Sequence, residues 1–288
     1  MVDVEAKPGV LLRIVRFAPT RLLLLYLLLP YLYLAGYFYR QSFAQGPWAG
    51  LWASVLSCIA MLGLYAVVVN MTERRAVHEL ALKPAPKEIA IGLLLGSGLY
   101  TLCVLVLMAT GHFKIHGLGE WHVLVSGAAV ALATGTFEEL LFRGGVFRLA
   151  EEWFGTWWAV VISALVFGLV HMGNDEATLQ GVVSISIWAG LLLVACYLLT
   201  RRLWLGIGLH AAWNYTQGSV YSGIVSGNAP TSGYLHSSLN GPEWLTGGSF
   251  GVEASAVAFL LCSVAGTWMM AAAHRRGHMR PPAWYRQQ

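Results

Sequence analysis

Eight long apolar runs, parted by short polar stretches, leave this chain few folds to choose from. They cover Leu22–Tyr39, Trp48–Asn70, Ile89–Thr110, Val123–Phe142, Trp157–His171, Val182–Leu199, Leu203–Gly218 and Ala254–Ala273. Crossing ~30 Å of hydrocarbon takes ~20 helical residues. Most runs approach that length; the fifth and seventh are short. Backbone groups in lipid must bond within their own segment, so the runs are expected to be helices. Composition agrees: 57% of the 288 residues are hydrophobic and 11% charged, against about 25% charged in a soluble domain. The expected fold class is all-α, a polytopic membrane protein of about eight transmembrane helices, with residues 1–288 forming a single integral membrane domain.

Charge orients the set, because Lys and Arg concentrate in cytoplasmic loops. With the N-terminus inside, the inner segments carry Lys7, Arg13, Arg16 and Arg21, then Arg74, Arg75, Lys83 and Lys87. They also carry Arg143 and Arg148, Arg201 and Arg202, and finally Arg275, Arg276, Arg280 and Arg286, leaving only Arg40 and Lys114 outside. Both termini are therefore expected in the cytoplasm, with residues 274–288 a basic cytoplasmic tail. In a bacterium the membrane is expected to be the inner one. Residues 219–253 are expected to form an extracytoplasmic loop. Its stretch Tyr221–Glu253 is rich in Gly, Ser and Asn and lacks Lys and Arg, which reads as flexible and long enough to act as a lid.

The pI near 8.9 does not point to nucleic acid, because the basic residues are scattered rather than forming a stripe. Cys58, Cys103, Cys196 and Cys262 lie inside apolar runs without metal-type spacing and read as small buried hydrophobes. The first run is long, leucine-rich and without a small-residue cleavage site, so it reads as an uncleaved span.

"TGTFEELLFRGG", residues 134–145, breaks the apolar pattern with Glu138, Glu139 and Arg143. A charge at a helix centre costs about 2.5–3.5 kcal/mol on insertion scales, less near an end. Glu139 and Arg143 are i, i+4 neighbours that can pair, which leaves Glu138 without a local partner. Taken alone, the set could be a helix end carrying an ion pair. Two further patterns change that reading. "FGLVH" places Phe167 and His171 one turn apart on the fifth run, and "HAAWN" places His210 and Asn214 one turn apart on the seventh. Polar groups within a bilayer must find one another or water. One wet pocket shared by the fourth, fifth and seventh helices is the economical arrangement.

Such a pocket has the parts for hydrolysis. A carboxylate can act as general base towards water, and a neutral histidine can hold that water or shuttle its proton. An imidazole N–H and an asparagine amide can donate to a developing oxyanion. The spans contain no serine nucleophile with an evident base, no Gly-x-Gly-Asp pattern and no His-Glu-x-x-His zinc helix. Activated water is therefore expected to do the attack.

Glu138-Glu139-Leu-Leu-Phe-Arg143, Phe167-x-x-x-His171 and His210-x-x-x-Asn214 together resemble the three signatures of the CPBP family. That family comprises the CAAX prenyl endopeptidases of the Ras-converting type and the bacterial Abi, or bacteriocin-processing, proteins. "HELAL" (78–82) is similar to a weaker element of it. The resemblance covers the core helices, residues 123–218, and neither the first two helices nor the C-terminal tail. It implies an intramembrane endopeptidase acting on membrane-associated protein or peptide substrates, CAAX-like or peptide precursors. It also implies Glu138 as the base that activates water, His171 helping to hold that water, and Glu139 supporting His171. Arg143 would hold the carboxylates, Phe167 would direct the histidine, and His210 and Asn214 would stabilise the oxyanion.

No cofactor is expected. The alternative is zinc on Glu138, His171 and His210, an open three-ligand site. Competing functions are a non-catalytic membrane scaffold or self-immunity protein that keeps the pocket for binding, and a proton-coupled transporter. Transport favours internal inverted repeats, and no duplication is evident. Simple threading leaves one tension. Glu138 falls near the inner end of its helix and His171, counted from Trp157, towards the outer end. Either the fifth helix starts later or tilts strongly, or the boundaries shift by a turn.

Overall fold

A computed structural model describes residues 14, 16–230 and 232–285. Lys7, Arg13 and Arg286, used above for orientation, lie outside the described residues.

All eight apolar runs are helical. The first three are α1 (Ala18–Ser42), α2 (Pro47–Glu73) and α3 (Ala85–Ala109), each with proline in its first turn, where the missing N–H is no loss. Then follow α4 (His122–Glu138), a π-helical stretch Glu139–Phe147, and α5 (Arg148–Val170). The last set is α6 (Leu179–Thr200), α7 (Trp204–Asn214) with a π-helical extension Tyr215–Val220, a short α8 (Glu243–Thr246), and α9 (Ala256–Arg275). Among the described residues six helical stretches are long and apolar enough to cross a membrane, one of them the continuous run His122–Gly173 that holds two expected spans. The chain is an all-α, multi-pass membrane protein.

The seventh run departs from a lipid-facing span. Every residue from Trp204 to Trp213 is buried, so α7 is a core helix enclosed by its neighbours. Its closest approach is to α3, where glycine makes the contact possible. A Cβ added at Gly92 would lie 2.7 Å from the Leu209 backbone nitrogen, and one at Gly96 3.0 Å from the Ala212 Cβ. Small residues that let helix backbones touch are the usual packing device in membranes, where lipid removes the hydrophobic drive.

The expected loop between the fourth and fifth spans is also corrected. The helix does not end at Phe142 but runs on through Arg143 and Arg148 to Phe154, and breaks at Gly155 (φ 75, ψ 172). Phe142 and Phe167, on either side of that break, meet edge to face with ring centroids 5.1 Å apart, so the chain doubles back there. Counted from Gly155, Glu138 lies 17 residues back and His171 16 residues forward. Each is about 25 Å along its helix at 1.5 Å per residue. The threading tension disappears, because the two signatures sit at matched depth.

Buried ion pairs explain why charge misled the boundary. Arg148 bonds Glu73 at 2.6 and 2.8 Å and Glu152 at 3.0 Å. Arg21 reaches Glu73 at 3.1 Å and Glu152 at 2.8 Å, and Arg75 holds Glu79 through two bonds of 2.6 and 2.8 Å. Glu151, wholly buried, takes Arg201 at 2.8 Å and the Thr156 hydroxyl at 2.6 Å. Burial raises the Glu79 carboxyl, but the Arg75 hydrogen bonds and the Arg148 charge outweigh it and hold the group at about 2. Residues read as solvated loop charges thus knit one end of the bundle, here termed the basic end. The described part of the 274–288 tail docks there too, with Thr156 N donating to the Arg280 carbonyl at 2.9 Å.

The opposite end carries an element the all-α reading did not contain. Phe113–Leu118 (β1) pairs antiparallel with Leu235–Leu239 (β2), with a register shift between Ile115 and Gly117. The stretch expected to be a flexible loop is folded through this ribbon, α8 and short 3-10 turns. It ends by burying Glu253 in the core, 4% exposed.

Candidate active site

The α4 signature sits where helix type changes. Glu138 is the last α-helical residue and Glu139 the first of the π-helical stretch. Extended π geometry is rare, and π segments gather at functional sites. It is held from outside at Gly144, whose carbonyl accepts from the Tyr65 hydroxyl at 3.1 Å and from Arg148 Nε at 2.9 Å. The Tyr65 ring lies so close that a Cβ on Gly144 would come within 2.8 Å of it. Tyr65 also donates to Glu79 at 2.8 Å, tying the "HELAL" segment to the back of the site.

Glu139 is the hub. Its Oε1 accepts from Arg143 Nη1 at 2.8 Å and from His210 Nδ1 at 2.9 Å. Arg143 is fully buried. Its guanidinium lies 4.5 Å from the Phe167 ring centroid and reaches the Ala189 carbonyl at 3.4 Å. A carboxylate paired with arginine only accepts, so His210 Nδ1 carries a proton and Nε2 faces the other way. Glu138 waits there, with Oε2 3.6 Å from His210 Nε2 and buried without a hydrogen-bond partner. His210 therefore lies between the two adjacent glutamates.

His171 is oriented differently. Its Nδ1 donates to the Phe167 carbonyl at 2.7 Å, which leaves the Nε2 lone pair free to accept. The Phe167 ring packs against both imidazoles, with centroids 4.7 Å from His171 and 6.2 Å from His210. The expectation that Glu139 supports His171 is corrected: its described hydrogen bonds go to Arg143 and His210. Sequence spacing shows which residues share a face, but not which of two histidines a side chain reaches.

His210 and Asn214 share one side of a cavity of about 20 Å³, lined as well by Phe167, Trp188, Trp213, Ser226 and Glu253. That is room for about one water molecule. The cavity draws on α6 and the 219–253 segment in addition to the three helices expected. Glu253 is the functional-type residue the sequence reading missed. Its carboxylate accepts from Trp213 Nε1 at 3.1 Å and from the Ser226 backbone N–H. Burial pushes its carboxyl up from the ordinary value, against the Ser226 hydrogen bond and the nearby His171 imidazole. No motif announces it, since its partners lie 27 and 40 residues away in sequence.

Glu138, His171 and His210 do not assemble as a ligand set. Among the described residues no three His, Cys, Asp or Glu side chains gather to hold one ion.

Residues 120–216 match the family model described as type II CAAX prenyl endopeptidase Rce1-like. This stretch is an Rce1-like domain. The match starts at the ribbon end of α4 and closes two residues after Asn214, so it takes in all three signatures and the residues that meet around His210. The match likens residues 120–216 to the type II CAAX prenyl endopeptidases. α1 to α3 and α9, which enclose the Rce1-like domain, lie outside the match. Neither the curated proteins nor the solved structures provide a match to the chain.

Proposed function

We propose that the protein is an intramembrane endopeptidase that hydrolyses peptide bonds of membrane-associated substrates by water activated at Glu138. The observation that carries the reading is the His210 imidazole set between Glu139 and Glu138, with Arg143 fixing Glu139 from behind. Glu138 is the acid without an arginine of its own, and its Oε2, like that of Glu139, is a buried acceptor left unused. It takes a proton from water as the water oxygen bonds to the peptide carbonyl carbon. His171 Nε2, with its lone pair free, accepts from the same water.

The carbonyl oxygen then becomes an oxyanion, which the Asn214 amide and the His210 imidazolium, protonated on Nε2 as well as Nδ1 before the attack, stabilise. The Glu139–Arg143 pair stabilises a proton on His210 at that stage and keeps the ring from turning. Collapse of the intermediate breaks the C–N bond, and the proton held by Glu138 passes to the leaving amine. The products are a new carboxyl group and a new amine.

Comparing the membrane proteomes of cells carrying wild type and Glu138→Ala tests the reading. Membrane proteins or peptides with uncut termini should accumulate in the variant strain. Unchanged termini, with a partner still bound by the Glu138→Ala protein, would favour a non-catalytic scaffold instead.

A further inference from the structure

The cavity beside His210 and Asn214 accommodates one water, not a peptide bond with its flanking residues, so some wall must move before substrate can bind. Most of that wall is tightly packed helix. Ile185, Trp188 and Ala189 belong to α6, and Leu209 and Trp213 to the fully buried α7. The non-helical lining comes from Ser226 and from a short buried turn, Val252–Ala254, preceded by Gly251 at φ 96.

On the far side of that turn lies a second, open groove of about 290 Å³ at the ribbon end. Its lining includes Val183, Ser184, Trp244, Ala254, Ser255 and Phe259. The two spaces are neighbours in the chain at both borders. Glu253 faces the cavity while Ala254 and Ser255 face the groove; Ile185 faces the cavity while Ser184 faces the groove. Besides the Trp213 and Ser226 bonds to the Glu253 carboxylate, three side-chain bonds hold the backbone of the partition. The Glu253 carbonyl accepts from Trp188 Nε1 at 2.9 Å and Ser184 Oγ at 3.1 Å, and the Ala254 carbonyl from Gln180 Nε2 at 3.1 Å.

We propose that Val252–Ser255 is a movable wall, and that its withdrawal joins cavity and groove into one channel for an extended, apolar stretch of the substrate polypeptide. The joined volume enters the few-hundred-Å³ range of ligand sites. Gln180, Ser184 and Ser255 supply polar partners for the backbone of an extended chain, and Val183, Trp244 and Phe259 an apolar bed. Withdrawal also removes the Glu253 carboxylate from the space opposite His210 and Asn214, where the oxyanion must form. The channel rests on the proteolytic reading above.

The test is thiol labelling at Ile185→Cys with a membrane-impermeant methanethiosulfonate, read at that position by mass spectrometry. Ser184→Ala and Trp188→Phe each remove one hydrogen bond from the wall. Each should speed labelling by about two- to tenfold, the population shift one such bond supports, and a saturating peptide substrate should protect position 185 from the reagent. Labelling at the parent rate in both variants overturns the proposal, as does labelling that the peptide does not slow. Labelling requires no turnover, so it stands apart from the catalytic reading. An active Glu138→Ala protein whose position-185 label still responds to Ser184→Ala would sink the chemistry and leave the movable wall.

Discussion

Glu139 Oε1 lies 2.9 Å from His210 Nδ1 and 2.8 Å from Arg143 Nη1, so one carboxylate oxygen fixes a histidine 71 positions away in the chain. Arg143 is fully buried, and its only described acid partner in hydrogen bonding is Glu139. Removing one member of a buried ion pair strands the other, at a cost of about 3–5 kcal/mol. Arg143→Met should destabilise the protein by that order and release His210. Denaturant unfolding in detergent micelles measures it, and a change below about 1 kcal/mol would mean the pair behaves like a solvated one.

Glu139→Gln probes orientation rather than charge alone. The amide can donate as well as accept, so it admits a His210 tautomer with Nδ1 unprotonated. kcat should fall by at least about 10²-fold with KM little changed, the pattern of a mis-set catalytic imidazole. Asn214→Ala, which deletes an oxyanion donor, should lower kcat by about 10²–10³-fold. Steady-state kinetics on a quenched-fluorescence peptide separates the two parameters. A rise in KM alone would assign both residues to substrate binding.

The membrane-crossing helices were legible because apolar length is a direct consequence of bilayer thickness, and the three signatures because polar residues are scarce within such runs. The turn was not legible. Arg143, Arg148, Glu151 and Glu152 look like a loop when charges are read as solvated, and only their partners on other helices, Glu73, Arg21 and Arg201 among them, make them buried. Gly155 carries the reversal through its positive φ, which a sequence does not display among 32 glycines. Glu253 was hidden for a related reason. It reads as the last polar residue before a span, and its role depends on Trp188 and Trp213 from elsewhere in the chain.

Acid should loosen the clamp behind the π-helical stretch. The Glu79 carboxyl is held at about 2, below the ordinary glutamate value of about 4.3. A depressed folded-state value contributes stability that is fully present above the unfolded value and is lost as pH falls through the folded one. Between about pH 4.5 and pH 2 the wild type should lose more stability than Glu79→Gln, and above that window the difference should be constant. Unfolding midpoints across pH measure this; parallel profiles for the two proteins would contradict it.

Close approach of α3 and α7 sets the depth of His210. A leucine at Gly96 would drive into Leu209 and Ala212, and overpacking of this kind costs about 1–3 kcal/mol or more. Gly96→Leu should reduce both unfolding stability and kcat, because α7 must shift with the histidine it carries. Gly98, where an added Cβ meets nothing within 4 Å, is the control: Gly98→Ala should leave turnover unchanged.

Metal dependence has a separate readout. Glu138, His171 and His210 are not gathered as ligands, so turnover of purified protein should be insensitive to chelation. Metal analysis alongside the assay checks this. A stoichiometric ion whose removal abolishes cleavage, and whose return restores it, would contradict water activation by Glu138 alone.

The most direct measurement is single-turnover peptide cleavage by purified wild type and Glu138→Gln, matched for unfolding midpoint, in vesicles. Loss of the base predicts a rate at least about 10²-fold lower in the variant. Cleavage by Glu138→Gln at the wild-type rate would contradict the assignment of this residue as the group that activates water.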